Sequence, residues 1–242
     1  MKVFFSILAL VTGLALIQAF ASEDPTSSDN SRLGEVYQDN RVVEPFQNIA
    51  ISGAMDVEIK IGSTTSIDIE SEKGNADLIE TRVDNGTLRI HPKKKAWTKR
   101  IGAIKVFVTV PDLQELKVSG ASDVHLLGNS ISELKMRISG ASDIFSNVTF
   151  GHLMLDASGA SDIKLEGKAQ SAKFLISGAS DIKAATFEVE DMKANVSGAS
   201  DVKVIVSNNL DIMASGASSF KYDGNPSIGK RSVSGAADVE QM

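Results

Sequence analysis

Through the second half of the chain, apolar and polar residues alternate with a period of two. The alternation restarts at a short Ser-Gly-Ala phrase. Two, four and six places before the glycine stand Ile138, Met136 and Leu134 in one stretch and Ala157, Leu155 and Leu153 in the next. Then come Ile176, Phe174 and Ala172; Val196, Ala194 and Met192; and Ala214, Ile212 and Leu210. Four places after the glycine stand Val124, Ile144, Ile163, Ile182, Val202, Phe220 and Val239. Period two marks a strand with one buried face, and no window of helical period competes. Each unit therefore predicts a strand, a Ser-Gly-Ala corner, a second strand and a variable return loop. The stretches LGNS, EGKAQ, VSNN and DGNPS, rich in Gly, Asn and Ser, are expected to be those loops.

The phrase is a serial repeat. Its glycines are Gly53, Gly120, Gly140, Gly159, Gly178, Gly198, Gly216 and Gly235, and from Gly120 onward they are separated by 20, 19, 19, 20, 18 and 19 residues. A unit of this length cannot bury its own apolar face, but stacking equivalent strands in register buries it continuously. The fold class expected is all-β, a parallel β-solenoid or β-helix, with rungs ~4.8 Å apart and a repeat region on the order of 30 Å long. Glycine at each corner suits a backbone conformation that other residues enter only with strain. An antiparallel sandwich also places turns at regular intervals, but it does not require the same six residues at every turn.

Residues 45–112 break the period, since Gly53 and Gly120 are 67 apart. Alternating runs lie between them (VEIKI at 57–61, SIDIE at 66–70, TLRI at 87–90, IKVFVTV at 104–110), and Asp84-Asn85-Gly86 signals a tight hairpin. This part is expected to begin the stack and cap its N-terminal end with hairpins, because an open rung exposes unpaired edge groups. At the other end Arg231 and Gln241 replace apolar residues of earlier units, as in an atypical final rung.

The N-terminus changes the picture of where the protein works. Residues 3–17, VFFSILALVTGLALI, follow the single charge of Lys2 and precede the small-x-small site Ala19-Phe20-Ala21. This is a secretory signal pattern, and the apolar run is short of the ~20 residues of a spanning helix. The division expected is a signal peptide over 1–21, a flexible polar tether over 22–44 and one β-helical domain over 45–242, irregular to 112 and regular from 113. No second apolar run long enough to span a membrane follows. With no cysteine among 242 residues, disulfides, thiolate metal sites and a cysteine-linked lipid anchor are excluded. The net charge of −6 argues against nucleic acid as a partner. Aromatics are scarce, at 5%, as expected of a narrow core filled mainly by Ala, Val, Ile, Leu and Met.

An exported chain with a β-rich N-terminal part, the phrase Val110-Pro111-Asp112-Leu113 and serial Ser-Gly-x-x-Asp-[Ile/Val] units resembles the head GIN domain family over about 45–242. These are auto-transporter adhesin heads found mostly in exported proteins of Bacteroidetes-type bacteria. The resemblance implies a β-helical fold and an envelope location: periplasmic, outer-surface or secreted. It carries over no catalytic residue. The fourth motif position, often glycine in the family, is here Ser122, Ser142, Ser161, Ser180 and Ser200.

Two groups of residues are candidates for chemistry. Asp123, Asp143, Asp162, Asp181 and Asp201 should form a ladder along one edge, interrupted by Ser219 and resumed by Asp238. Such a row could bind Ca²⁺ through carboxylate oxygens. Alternatively, each Asp or Ser could accept hydrogen bonds from corner N–H groups, while the lysine row Lys164, Lys183, Lys203 and Lys221 relieves the charge. The structural reading is preferred, and neither a resident metal nor a cofactor is expected. The second group is Lys93, Lys94, Lys95, Trp97, Lys99 and Arg100, cations around the only tryptophan. They could grip anionic glycans or lipid headgroups, or form a solvated loop. His91, His125 and His152 lack metal-ligand spacing, and no hydrolase elbow or nucleotide fingerprint is present. A flat ice-binding face is disfavoured by the charged rows. The function expected is non-enzymatic, adhesin-like recognition of an envelope polymer (a glycan) or a protein. The alternatives are a carbohydrate-active β-helix of the polysaccharide lyase or hydrolase kind and an envelope-stress sensing partner.

Overall fold

The computed structural model describes residues 36–72, 75–98 and 102–242. The expected signal peptide and most of the expected tether lie outside the described residues. The tether differs from expectation at its C-terminal end, where Val36–Arg41 is a strand, β1, paired antiparallel with Ser66–Glu72, β4. Arg41 anchors it: the guanidinium donates to the Ile79 and Ala76 carbonyls, each at 2.8 Å, and pairs with Asp39 at 2.9 Å. Its polar sequence conceals a strand because this edge strand satisfies its backbone on β4 and adds little to the core.

The architecture is the parallel β-solenoid that the repeat predicts, with about seven turns. Its body is Asp123–Gly140 (β9), Asp143–Gly159 (β10), Asp162–Gly178 (β11), Asp181–Val196 (β12) and Asp201–Ala214 (β13), each parallel to the next. The expected return loops LGNS, EGKAQ and VSNN are corrected here, because all three lie inside continuous strands. Along β9 two adjacent positions face outward at 129–130 and again at 132–133, so the strand bends twice around the core without leaving the hydrogen-bonded ladder. Irregular register at 147/149, 164/166 and 184/188 absorbs the differences in rung length. Only DGNPS forms a break, between Ser219–Asp223 (β14) and Ser227–Val233 (β15); Asp238–Gln241 (β16) closes the last rung on β14.

The 67-residue gap has a topological explanation. Asn48–Gly53 (β2) and Asp56–Ile61 (β3) flank the first corner and pair in register with Glu115–Gly120 (β8) and β9, so Gly53 lies against Gly120. Between them the chain makes Ile79–Asp84 (β5), Thr87–Pro92 (β6) and Ile104–Val110 (β7). β6 and β7 lie parallel on the other side of β2 and β3 and form an additional rung without a glycine corner. Antiparallel β5 on β6 and β4 on β7 then cap it. The Asp84-Asn85-Gly86 hairpin forms, with Asn85 at φ 50° and Gly86 at φ 70°, as a two-residue turn of type I′ requires.

The core is a set of columns, one residue per rung, such as Leu134, Leu153, Ala172, Met192 and Leu210, all buried. Rings enter where neighbours are small. Phe150 and Phe187, two rungs apart, meet edge to face at 6.1 Å, with Ala169 on the rung between them. Phe174 and Phe220 are also fully buried and Phe46 nearly so, so five rings among the described residues share a core expected to be filled mainly by aliphatic residues.

Candidate binding face

Each corner is built from glycine and the serine two places on. Gly159 has φ +113°, and a Cβ there would press on the Gly140 carbonyl oxygen and lie 2.8 Å from the Gly140 nitrogen. Both constraints exclude a side chain. The carbonyl of Gly140 accepts the Ala160 N–H at 2.8 Å and the Ser161 hydroxyl at 3.4 Å. Ser161 Oγ in turn accepts the Ser142 N–H at 3.3 Å. The same exchange recurs through Ser122, Ser142 and Ser200. All are buried, so the fourth motif position is an internal hydrogen-bonding column. Serine stands at this position in six of the eight motifs, with Met55 and Ala237 in the other two.

The aspartates stack as expected, Asp56 to Asp123, Asp143, Asp162, Asp181 and Asp201, then Ser219 and Asp238. Serine, not aspartate, accepts the corner N–H groups. The carboxylates face outward with one per rung, and among the described residues no three His, Asp or Glu converge as a metal site would need. The lysine row meets them at one place: Lys183 Nζ lies 3.2 Å from Asp162 and 3.3 Å from Asp181. Its hydrogen bonds to Asp162 and then Asp181 raise the Lys183 pKa above the ordinary lysine value. Lys164 turns instead to Glu166 at 2.8 Å, and Lys221 to Glu240 at 3.1 Å.

The basic cluster lies at the corner of the additional N-terminal rung. Residues 94–98 form a 3₁₀ turn between β6 and β7, with Lys94 and Lys95 exposed, Lys93 half-buried and Ala96 buried beneath. Lys99 and Arg100, and the side chain of Trp97, lie outside the described residues. The structure therefore places the three lysines on one turn and leaves their association with the tryptophan outside the described geometry.

A larger feature was not anticipated. On the side of the solenoid formed by the second halves of β9 to β13, two outward files run along the rod. One carries Glu133, His152, Ser171, Asp191 and Asn209; the other Lys135, Met154, Lys173, Lys193 and Asp211. They line a groove of about 730 Å³ that ends at Ile228 of β15. Its polar groups are partly engaged. His152 Nδ1 and Ser171 Oγ share a hydrogen bond of 2.7 Å, and Asp191 accepts the amides of Asn208 and Asn209 at 2.9 and 2.7 Å. Asp211 accepts the Lys230 N–H at 2.8 Å. A second concavity, about 530 Å³, lies toward the N-terminal end around Arg89, His91, Lys117 and Arg137. There Glu115 pairs with Lys117 at 2.8 Å and Arg137 at 3.1 Å. Reading the repeat column by column at the outward positions five and seven before each glycine would have aligned the two files that line the larger groove.

Comparison with known proteins follows the same outline. The family described as "Putative auto-transporter adhesin, head GIN domain" matches residues 45–226. A "putative adhesin" from Bacteroides fragilis superposes with a TM-score of 0.76 at 23% identity, over 86% of this chain and 97% of that one. A second, from Parabacteroides merdae, gives 0.67 at 18% identity, over 87% and 97%. A "putative lipid binding protein" from Parabacteroides distasonis gives 0.63 at 18% identity, over 87% and 98%. At these identities the likeness is one of fold. Comparison with curated proteins gives no match.

Proposed function

The chain belongs to the head GIN domain family, and from that premise we propose that it is an exported, noncatalytic recognition module of the cell envelope that binds a surface polymer in adhesin-like fashion. One observation carries the reading: the groove along the rod presents charged, hydroxyl and amide groups at the rung interval across β9 to β13. A stacked ladder holds those groups at a fixed pitch of ~4.8 Å, which suits a ligand that itself repeats. Preorganised groups of this kind bind without the cost of ordering loops. Two carboxylates of the groove, Asp191 and Asp211, are occupied by N–H donors, which favours binding over acid–base chemistry. The names of the structural neighbours from Bacteroides fragilis and Parabacteroides merdae point the same way.

Export through residues 1–21 belongs to the same proposal. Among the described residues no helix is long and apolar enough to cross a membrane. The test is retention of the full chain, immobilised, against purified envelope polysaccharide and envelope protein fractions. Saturable binding to an envelope fraction with the ligand recovered intact is the expected result. Release of new reducing ends or unsaturated uronate, abolished by a single acidic substitution, would replace the reading with that of a carbohydrate-active β-helix.

A further inference from the structure

We infer that Lys135, Lys173 and Lys193 form a binding site for an acidic polysaccharide, carboxylated or sulfated, lying along the rod with about one sugar per rung. The inference rests on the recognition reading above and names its ligand class. Three observations support it. First, these ammonium groups have no ion-pair or hydrogen-bond partner among the described residues, whereas several cations on the same and neighbouring sides are neutralised internally: Lys117 and Arg137 by Glu115, Lys183 by Asp162 and Asp181, Lys164 by Glu166. Second, the three stand in one in-register file. Lys173 lies beside Lys193, and Lys135 is two rungs from Lys173, with Met154 between them. At the rung pitch this places positive charge at intervals of ~5 and ~10 Å. Lys173 and Lys193, ~5 Å apart, repel by about 1 kcal/mol in water, and an anionic group bound between them relieves that repulsion. A glycan with an acidic group on each sugar, or on alternate sugars, presents them at matching intervals. Third, the parallel file offers hydrogen-bonding groups, His152, Ser171 and Asn209, suited to sugar hydroxyls.

The groove also sets a length. Asp211 stands in the lysine file one rung beyond Lys193, so an anionic chain finds favourable charge over the four rungs from Lys135 to Lys193 and meets repulsion at the fifth. Glu133 and Asp191 stand in the other file and direct the anionic groups of the ligand onto the lysines.

The experiment uses the full chain, with affinity electrophoresis and calorimetry against polygalacturonate, chondroitin sulfate, neutral dextran and poly-glutamate. The wild-type protein should bind one or both acidic glycans, with affinity falling as salt rises, and should ignore dextran. The K135Q/K173Q/K193Q variant, changed only at solvent-facing lysines, should keep the wild-type melting curve and bind about tenfold or more weakly with a shallower salt dependence. The control K164Q/K183Q, on another side of the rod, should bind as wild type. Equal binding by the triple variant overturns the site while leaving the recognition reading standing. Indifference of the wild type to both acidic glycans, with binding to an envelope fraction retained, overturns the ligand class alone. Preference for poly-glutamate assigns the groove to an acidic peptide instead and also overturns the inference.

Discussion

Gly159, Ser161 and Ser146 occupy neighbouring rungs and show three different demands on one residue. Gly159 sits at φ +113° with the Gly140 backbone against the place a Cβ would take. Gly159→Val should therefore destabilise by about 2–4 kcal/mol, read as a lowered urea midpoint; a wild-type midpoint would remove the corner argument. Among the described residues Ser161 carries the only acceptor for the buried Ser142 N–H, and Ser161→Ala would strand that donor at a cost of about 1–3 kcal/mol. Ser146 has the opposite character. It faces inward between Leu126 and Leu165 in its column, and its Oγ is buried without a partner. Ser146→Ala removes a desolvated hydroxyl that no bond repays, so stability should hold or rise by up to about 1 kcal/mol. A clear loss would show that the Ser146 hydroxyl holds a partner. Two serines with the same burial thus respond with opposite sign, because stability follows hydrogen bonds satisfied and not polarity as such.

At the scale of the strand, legibility in the sequence depended on how local the cause was. The corners and the inward columns could be read because each repeats with its own period and the glycine marks the phase. Three features could not. The long strands β9, β10, β11 and β13 bend through Gly- or Asn-containing segments that locally favour turns, because the ladder to the neighbouring rungs outweighs local preference. β1 is polar and becomes a strand only through its pairing with β4. The two files of the groove can be aligned by counting back from each glycine, but the concavity they line is a tertiary fact. The last rung was legible for a chemical reason. Arg231 takes the column place of Ile212, and its guanidinium crosses the end of the core to donate to the Val239 carbonyl at 2.9 Å, while Gln241 donates to the Gly224 carbonyl at 2.6 Å. No described strand pairs with the outer edges of β15 and β16, and an inward charge is a known guard against edge-to-edge stacking. Arg231→Leu should therefore convert monomers to larger species in sedimentation velocity at tens of micromolar, with little change in the far-UV spectrum; a purely monomeric variant would show that the guanidinium guards nothing. The aspartate ladder gives an element-scale prediction of a different kind. Its carboxylates diverge outward and one pair is already bridged by Lys183. The melting temperature should thus be the same in chelator and in millimolar Ca²⁺, and an increase of several degrees with Ca²⁺ would identify the ladder as a metal site.

For the whole molecule, the consequence of stacking is that each rung answers chiefly to its two neighbours, so stability should be nearly a sum over rungs and interfaces. A deletion can test this without altering any contact type. Removing Asp143–Ser161, 19 residues from 143 through 161, joins Ser142 to Asp162 and regenerates an intact Ser-Gly-Ala-Ser-Asp-Ile corner. The columns then continue as Val124 on Ile163, Leu126 on Leu165, Ile131 on Ala169 and Ile138 on Ile176, all apolar and all buried in the parent. The deletion also removes Ser146, whose hydroxyl is unsatisfied, and it brings Lys135 next to Lys173 in the groove. The shortened protein should melt in a single transition within about ten degrees of the parent, with the same β-type circular dichroism. Removing ten residues, 143–152, leaves a half rung. The next strand then reaches the corner out of phase and turns its apolar residues away from the core, so this variant should lose the cooperative transition. If both deletions behaved alike, the nearest-neighbour account would fail, whether because both folded or because neither did. If they diverge as expected, the rung is the unit in which this chain can be lengthened or shortened, and the span of the lysine file changes with it.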